Sequence, residues 1–263
     1  SILGTAFSLI LVILFPEHRV YAKVIGTLAV HIIIYTYLYL KIMKRGRKLI
    51  WVSAWKYALG YNIPLIPHYL SHQVLGQADR IMVNSICGST YTAMYTVAYQ
   101  ISMVLNIVTN AICNSFTPWA YMKLKEKDNK DIGNLTLGIE IATGIVCFFF
   151  TLFAPEFIYI MGGSAYREAI WVVPPVCMSI LFIMIYSLIS TVTFYYEKTK
   201  EIAICSCIAA GANLVLNAIF IPMFGMAAAG YTTLVCYALF CCMHCYLVVK
   251  ICKEECVENP FKM

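Results

Sequence analysis

Charge is what this chain has least of. Only 12% of its 263 residues are Asp, Glu, Lys or Arg, while 61% are apolar. Soluble domains hold roughly 25% charged and 45–50% apolar residues. Mean hydropathy is +0.77, more than a soluble core of this length needs, so the apolar surface faces lipid. The catalytic signatures are missing too: there is no GxSxG, no Walker loop and no DxD-type metal cluster. Nothing in the chain supports an enzyme or calls for a cofactor. Loop-borne CxxC pairs, the usual framework of structural zinc, are also absent. The twelve cysteines lie mostly inside apolar runs, which excludes an extracellular disulfide scaffold. The densest group is Cys241, Cys242 and Cys245 beside His244, followed by Cys252 and Cys256. It reads as small packing residues in preference to a metal or redox site.

The chain opens inside an apolar run, SILGTAFSLILVILF, with no basic flank before it. A signal peptide needs such a flank, so residues 1–15 are expected to be the tail of a spanning helix whose start precedes this sequence. Eight apolar segments follow from the pattern: 1–15, 24–40, 57–87, 90–120, 133–154, 169–196, 202–221 and 227–250. The breaks are turn or charge signals such as PEHR, KIMKRGRK, KLKEKDNKD, the GGS of MGGSAYRE, YEKTKE and PMFG. The expected fold is therefore an all-α polytopic membrane protein with about eight transmembrane helices.

Basic residues alternate from loop to loop. Lys41, Lys44, Arg45, Arg47, Lys48 and Lys56 follow segment two; Lys123, Lys125, Lys127 and Lys130 follow segment four; Lys198 and Lys200 follow segment six; Lys250, Lys253 and Lys262 lie in the tail. The intervening loops hold only Arg19, Lys23 and Arg167. Basic residues concentrate on the cytoplasmic side, so the even-numbered segments and the C-terminus are expected there. This placement explains the net charge of +6 without nucleic acid as a partner.

Polar residues inside the apolar segments are the functional candidates. Segment three carries Pro64 and Pro67 near its inner end, where proline removes a helix donor and kinks the axis, and then Asp79 and Arg80 side by side. Two readings stand: Arg80 meets an anionic group such as a phosphate through its bidentate fork, with Asp79 orienting it, or the pair locks two helices together. In segment four, Tyr91, Tyr95, Tyr99, Ser102, Asn106, Thr109, Asn110 and Thr117 fall on one helical face, bordered by Asn114. Tyrosine faces and amides suit sugars; helix–helix hydrogen bonding is the other reading. Glu140, two turns into segment five, is a second intramembrane acid. It could relay a proton, pair with Arg80 or reach the interface. Asp79 and Glu140 are thus the candidates for ion coupling. Asn213 and Asn217 share a face of segment seven at i, i+4. His68 and His72 have the same spacing, which metal-binding helices use, but no adjacent Glu and no third ligand are evident. They read as polar groups of a cavity mouth, and no metal site is expected.

The stretch WKYALGYNIPLIPHYLSHQVLGQADRIMVNSICGSTYTAMYTVAYQIS resembles the seventh and eighth helices of Wzx-type polysaccharide flippases. Those belong to the multidrug/oligosaccharidyl-lipid/polysaccharide exporter superfamily, here called MOP. The PLIPHYLS, ADRIM and YTVAY runs carry the resemblance, and the later pattern of a lysine-rich loop, four more helices and a short tail continues it. The resemblance implies twelve or more helices in two six-helix bundles around a cavity. Residues 1–56 would be the last two helices of the first bundle plus a basic loop, 57–251 the second bundle and 252–263 a cytoplasmic tail. It implies a bacterial inner-membrane protein that moves undecaprenyl-pyrophosphate-linked oligosaccharide to the outer leaflet, with Arg80 as the candidate for the pyrophosphate. Membrane lipids and the polysaccharide polymerase machinery would be its partners. A drug/cation antiporter or a lipid II-type flippase of the same superfamily, or a purely structural scaffold, are the alternatives.

Overall fold

A computed structural model describes residues 2–46, 48, 50–127 and 130–261. The basic residues Arg47 and Lys262 lie outside the described residues. Ten α-helices account for almost all of them, and there is no strand among the described residues. Contacts divide the chain into two compact units, residues 1–59 and 60–263.

In the first unit, α1 (Ile2–Leu14) and α2 (Arg19–Gly46) form a hairpin, joined by a short 3-10 turn at Pro16–His18. Large side chains at the seam would hold the axes apart, but Ala22 and Gly26 are the buried residues of α2. A Cβ built on Gly26 would stand 2.7 Å from the Ser8 Cα, so only glycine permits this approach. Ser8 closes the contact by donating to the Lys23 carbonyl at 3.1 Å. Small residues at such spacing let membrane helices approach closely. Elsewhere α2 is coated with exposed Ile32, Ile33, Tyr35 and Leu40, as a lipid-facing helix should be.

The third apolar segment is two helices. Helix α3 (Val52–Asn62) stops before Pro64, and α4 (Leu65–Cys87) starts after it. After α4, the second unit continues with α5 (Ser89–Glu126), α6 (Lys130–Leu152), α7 (Ala154–Gly162), α8 (Val173–Tyr195), α9 (Thr199–Phe224) and α10 (Met226–Glu254). Among the described residues, six helices are long and apolar enough to cross a membrane: α2, α5, α6, α8, α9 and α10. Helix α4 is long enough but carries His68, His72, Gln73, Gln77, Asp79, Arg80 and Asn84, so its polarity must be met by neighbours rather than lipid. The apolar pattern puts the end of one segment at 154 and the start of the next at 169, with the GGS turn of MGGSAYRE in the break between them. Residues 154–171 form α7 and a 3-10 stretch, with Ala154, Ile158 and Ala169 buried against Val83, Tyr95 and Val173. This cap closes one end of the bundle.

The other end carries the lysines. Lys198 bridges to Glu254 at 3.2 Å and to Glu255 at 3.5 Å, and the hydrogen bond that its ammonium donates to Glu254 raises its pKa above the ordinary value. Such exposed pairs stabilise little. The chain after α10 folds back more firmly: Val257 and Phe261 pack on the cluster of Ile132, Leu188, Val248 and Cys252. A Cβ on Gly133 would lie 2.7 Å from the Pro260 carbonyl oxygen. Gly133→Val should therefore displace the tail at a cost of about 1–3 kcal/mol. Limited proteolysis would then cut after Glu254 faster than in the parent; an unchanged rate would mean that the tail is not seated there.

Candidate functional site

Asp79 is fully buried among α4, α5, α9 and α10. A carboxyl group so enclosed needs hydrogen bonds on every side, and three neighbouring helices supply them. The Tyr95 hydroxyl donates to Oδ2 at 2.8 Å. Thr233 Oγ1 donates to the same oxygen at 2.5 Å, and Asn217 Nδ2 donates to Oδ1 at 2.7 Å. A second ring of contacts fixes these donors. Asn217 Nδ2 also reaches Asn213 Oδ1 at 3.1 Å, and Asn213 Nδ2 reaches Thr233 Oγ1 at 3.3 Å. The Thr232 hydroxyl donates to Asn217 Oδ1. The result is one acid wrapped by amide and hydroxyl oxygens that can turn toward a bound cation, or a carboxyl that can take a proton.

The face that Asn213 and Asn217 share at i, i+4 is thus part of the Asp79 network. Thr232 and Thr233 were missed at the sequence level. Their only signal was an adjacent hydroxyl pair, YTT, inside the long apolar helix α10.

Arg80 corrects the expectation that Asp79 orients it. Consecutive helical residues point about 100° apart, and no ion pair joins the two among the described residues. Arg80 Nη1 donates to Gln77 Oε1 at 2.8 Å, and its guanidinium carbon lies 4.4 Å from the centre of the Tyr99 ring. That cation–π contact holds a half-buried guanidinium at the edge of the same α4–α5 seam, with Nε unpartnered among the described residues.

The stripe on α5 divides along its length. Tyr95, Ser102 and Thr109 are buried, Tyr99 and Asn106 are half-buried, and Tyr91, Asn110 and Asn114 are exposed. Asn110 Nδ2 donates to Asn106 Oδ1 at 2.8 Å. Tyr95 and Tyr99 are neighbours, ring centres 6.1 Å apart. One part of the stripe therefore knits helices together, and the other presents Tyr91, Asn110 and Asn114 on an open face.

Glu140 stands apart. It lines a cavity of about 360 Å³ with Thr136, Ile185, Cys245, Asn259 and Phe261, and no ion pair joins it to Arg80 among the described residues. His68 donates to or accepts from Ser206 Oγ through Nδ1 at 2.6 Å, and its ring lies 4.9 Å from that of His72. No group of three His, Cys, Asp or Glu side chains is placed to hold a metal among the described residues. All twelve cysteines are free.

Residues 1–123 match the family model described as polysaccharide biosynthesis protein. No curated protein matches the chain at a significant level. Among solved structures, an outward-facing multidrug resistance MATE family transporter of the MOP superfamily is similar, with a TM-score of 0.60 at 19% identity. A MOP superfamily transporter from Pyrococcus furiosus, described with a binding pocket of reversed polarity, gives 0.57 at 17%. Each likeness covers 72% of this chain but only 44% of the other, so the chain spans less than half the length of either transporter. The chain therefore has the fold seen in these MOP-superfamily transporters, and its first 123 residues match the family model of the polysaccharide biosynthesis proteins.

Proposed function

We propose that the whole protein is a flippase that moves a lipid-linked oligosaccharide across a bacterial cytoplasmic membrane by alternating access. In this reading residues 57–251 are the second bundle, the lysine-rich end is cytoplasmic, and the open face of α4 and α5 lines the cavity. Arg80, steadied by Gln77 and Tyr99, neutralises the pyrophosphate. Tyr91, Tyr99, Asn106, Asn110 and Asn114 meet the sugars, and the lipid tail stays in the bilayer. Asp79, with Asn213 and Asn217, holds the coupling proton or monovalent cation. Tyr95 sits behind it as a hydrogen-bond donor.

One observation carries this reading over a drug/cation antiporter of the same superfamily. The acid is enclosed, with Asp79 fully buried, while the charge at the edge of the open face is the half-buried guanidinium of Arg80. An anionic cargo fits that arrangement and a cationic drug does not.

The test is deletion of the full-length gene in its native host. Loss of surface polysaccharide, with lipid-linked repeat units accumulating in the membrane, is the expected result. Normal surface polysaccharide with no accumulation would sink the reading, and increased sensitivity to cationic drugs would turn it toward the antiporter.

A further inference from the structure

Helices α4 and α10 are antiparallel along one seam. On α4, His68, His72, Leu75 and Asp79 follow at i, i+4, i+7 and i+11; on α10, Thr233, Tyr237, Phe240 and His244 do the same. Each set is a single stripe, since these steps return close to one helical azimuth. The stripes meet in reverse order. Thr233 touches Asp79, Phe240 lies 5.7 Å from His72 ring to ring, and His244 stands at the level of His68. The seam thus runs from the Asp79 network, over about 16 Å at 1.5 Å per residue, to a cluster of three imidazoles toward the lysine-rich end.

His244 is the unexplained member. It is fully buried, and neither of its ring nitrogens has a hydrogen-bond partner among the described residues. Its ring is boxed by Tyr186 and Phe240, each 4.6 Å away centre to centre. His72 faces Tyr186 at 5.9 Å and His68 at 4.9 Å. His68 is tied to α9 through Ser206 Oγ. Packing alone would be served by phenylalanine or leucine here; three imidazoles add ring nitrogens that can take up and release a proton once water reaches them. The other titratable groups around them are Tyr69 on α4, Tyr186 on α8 and Cys205 on α9, with Glu201 beyond Cys205. Cys241 and Cys245 flank His244 on α10, with Glu140 of α6 beyond them. Tyr237, fully enclosed, lies between the imidazoles and Asp79 and within electrostatic reach of Tyr186. Among the described residues no acid sits within the cluster to hold an imidazolium in the closed seam, so charging it requires water and goes with opening.

We propose that His68, His72 and His244 form a proton site, filled from the lysine-rich side, that supplies Asp79 along the α4–α10 seam. The inference rests on the reading of Asp79 as the coupling-ion site. A proton from water adds to an imidazole nitrogen as the seam opens; it then passes through water to a carboxylate oxygen of Asp79. The imidazole returns to neutral and the carboxylate becomes a carboxyl group. The seam closes again with no net charge left in the cluster.

The experiment uses the purified full-length protein in liposomes with an entrapped pH dye, driven by a potassium diffusion potential. Proton entry is followed as external pH is varied from 6 to 8, for the parent, His244→Phe and His244→Gln. The phenylalanine variant removes an unpartnered polar group and keeps the ring; the glutamine variant keeps hydrogen-bonding capacity but takes no proton. Both should lose proton entry by about tenfold or more and lose its pH dependence, with unfolding midpoints at or above the parent's. Parent-like entry and pH profile in both variants would overturn the proposal, as would the absence of proton entry in the parent. The cargo is read separately: proton entry that depends on His244 in a protein whose deletion leaves surface polysaccharide normal supports this site and removes only the flippase reading.

Discussion

Asn217→Leu should destabilise the second unit more than any other single substitution discussed here. The change strips one donor from Asp79 Oδ1 and takes the Asn217 amide from Asn213 Oδ1, while the Thr232 hydroxyl falls back on the Ala228 and Ala229 carbonyls. Removing one member of a buried, hydrogen-bonded charged set costs about 2–4 kcal/mol, because the groups left behind stay desolvated. For a unit of this size the loss corresponds to a fall of about 5–10 °C in unfolding midpoint, measured in detergent on the full-length protein. Asn110→Leu is the contrast. Asn110 is exposed and its side chain bonds, among the described residues, to Asn106, so its midpoint should stay within about 0.5 kcal/mol of the parent's, while transport falls if the open face reads sugars. Equal destabilisation by the two changes would mean that the Asp79 network does not hold the bundle.

Arg80→Ala should have the largest effect on transport. A charge-assisted hydrogen bond to phosphate contributes about 1.5–3 kcal/mol, so its loss should lower the flipping rate by about 10–100-fold. Surface polysaccharide per cell, with the variant protein present at parental levels in the membrane, measures this. Arg80→Lys should recover only part of the rate. Lysine keeps the charge but has neither the planar fork nor the same stack on Tyr99. Unchanged polysaccharide in the alanine variant would remove Arg80 from the substrate path, and full recovery by lysine would mean that only its charge matters.

Much of the helix layout was legible because membrane helices are specified by long apolar runs and their breaks. What was not legible depended on helices that meet only in the folded bundle. Asp79 and Arg80 are neighbours in the chain, and adjacency suggested a pair; helical geometry sends them to different partners, Thr233 and Asn217 for one, Tyr99 and Gln77 for the other. The face shared by Asn213 and Asn217 could be read from spacing alone, but its occupant could not, since Asp79 lies 138 residues from Asn217. Periodicity put the polar residues of α5 on one face. It could not say that this face would be enclosed at Tyr95 and open at Asn110, because that division is set by where the neighbouring helices lie. The short helix α7 and the 3-10 stretch after it were hidden for another reason: their apolar residues are too few for a span and sit beside a glycine pair that reads as a turn.

The seam between α4 and α10 also sets an order of events during synthesis. The Thr233 hydroxyl that satisfies Asp79 is encoded 154 residues later. At roughly 5–20 residues per second, Asp79 emerges on the order of 10–30 s before Thr233 is made. Throughout that interval α4 is a marginally apolar helix with an unmet acid. The insertion machinery must therefore hold it away from lipid until α10 arrives, and a ribosome stalled before α10 would leave a chain that quality-control proteases can recognise by that exposed polarity.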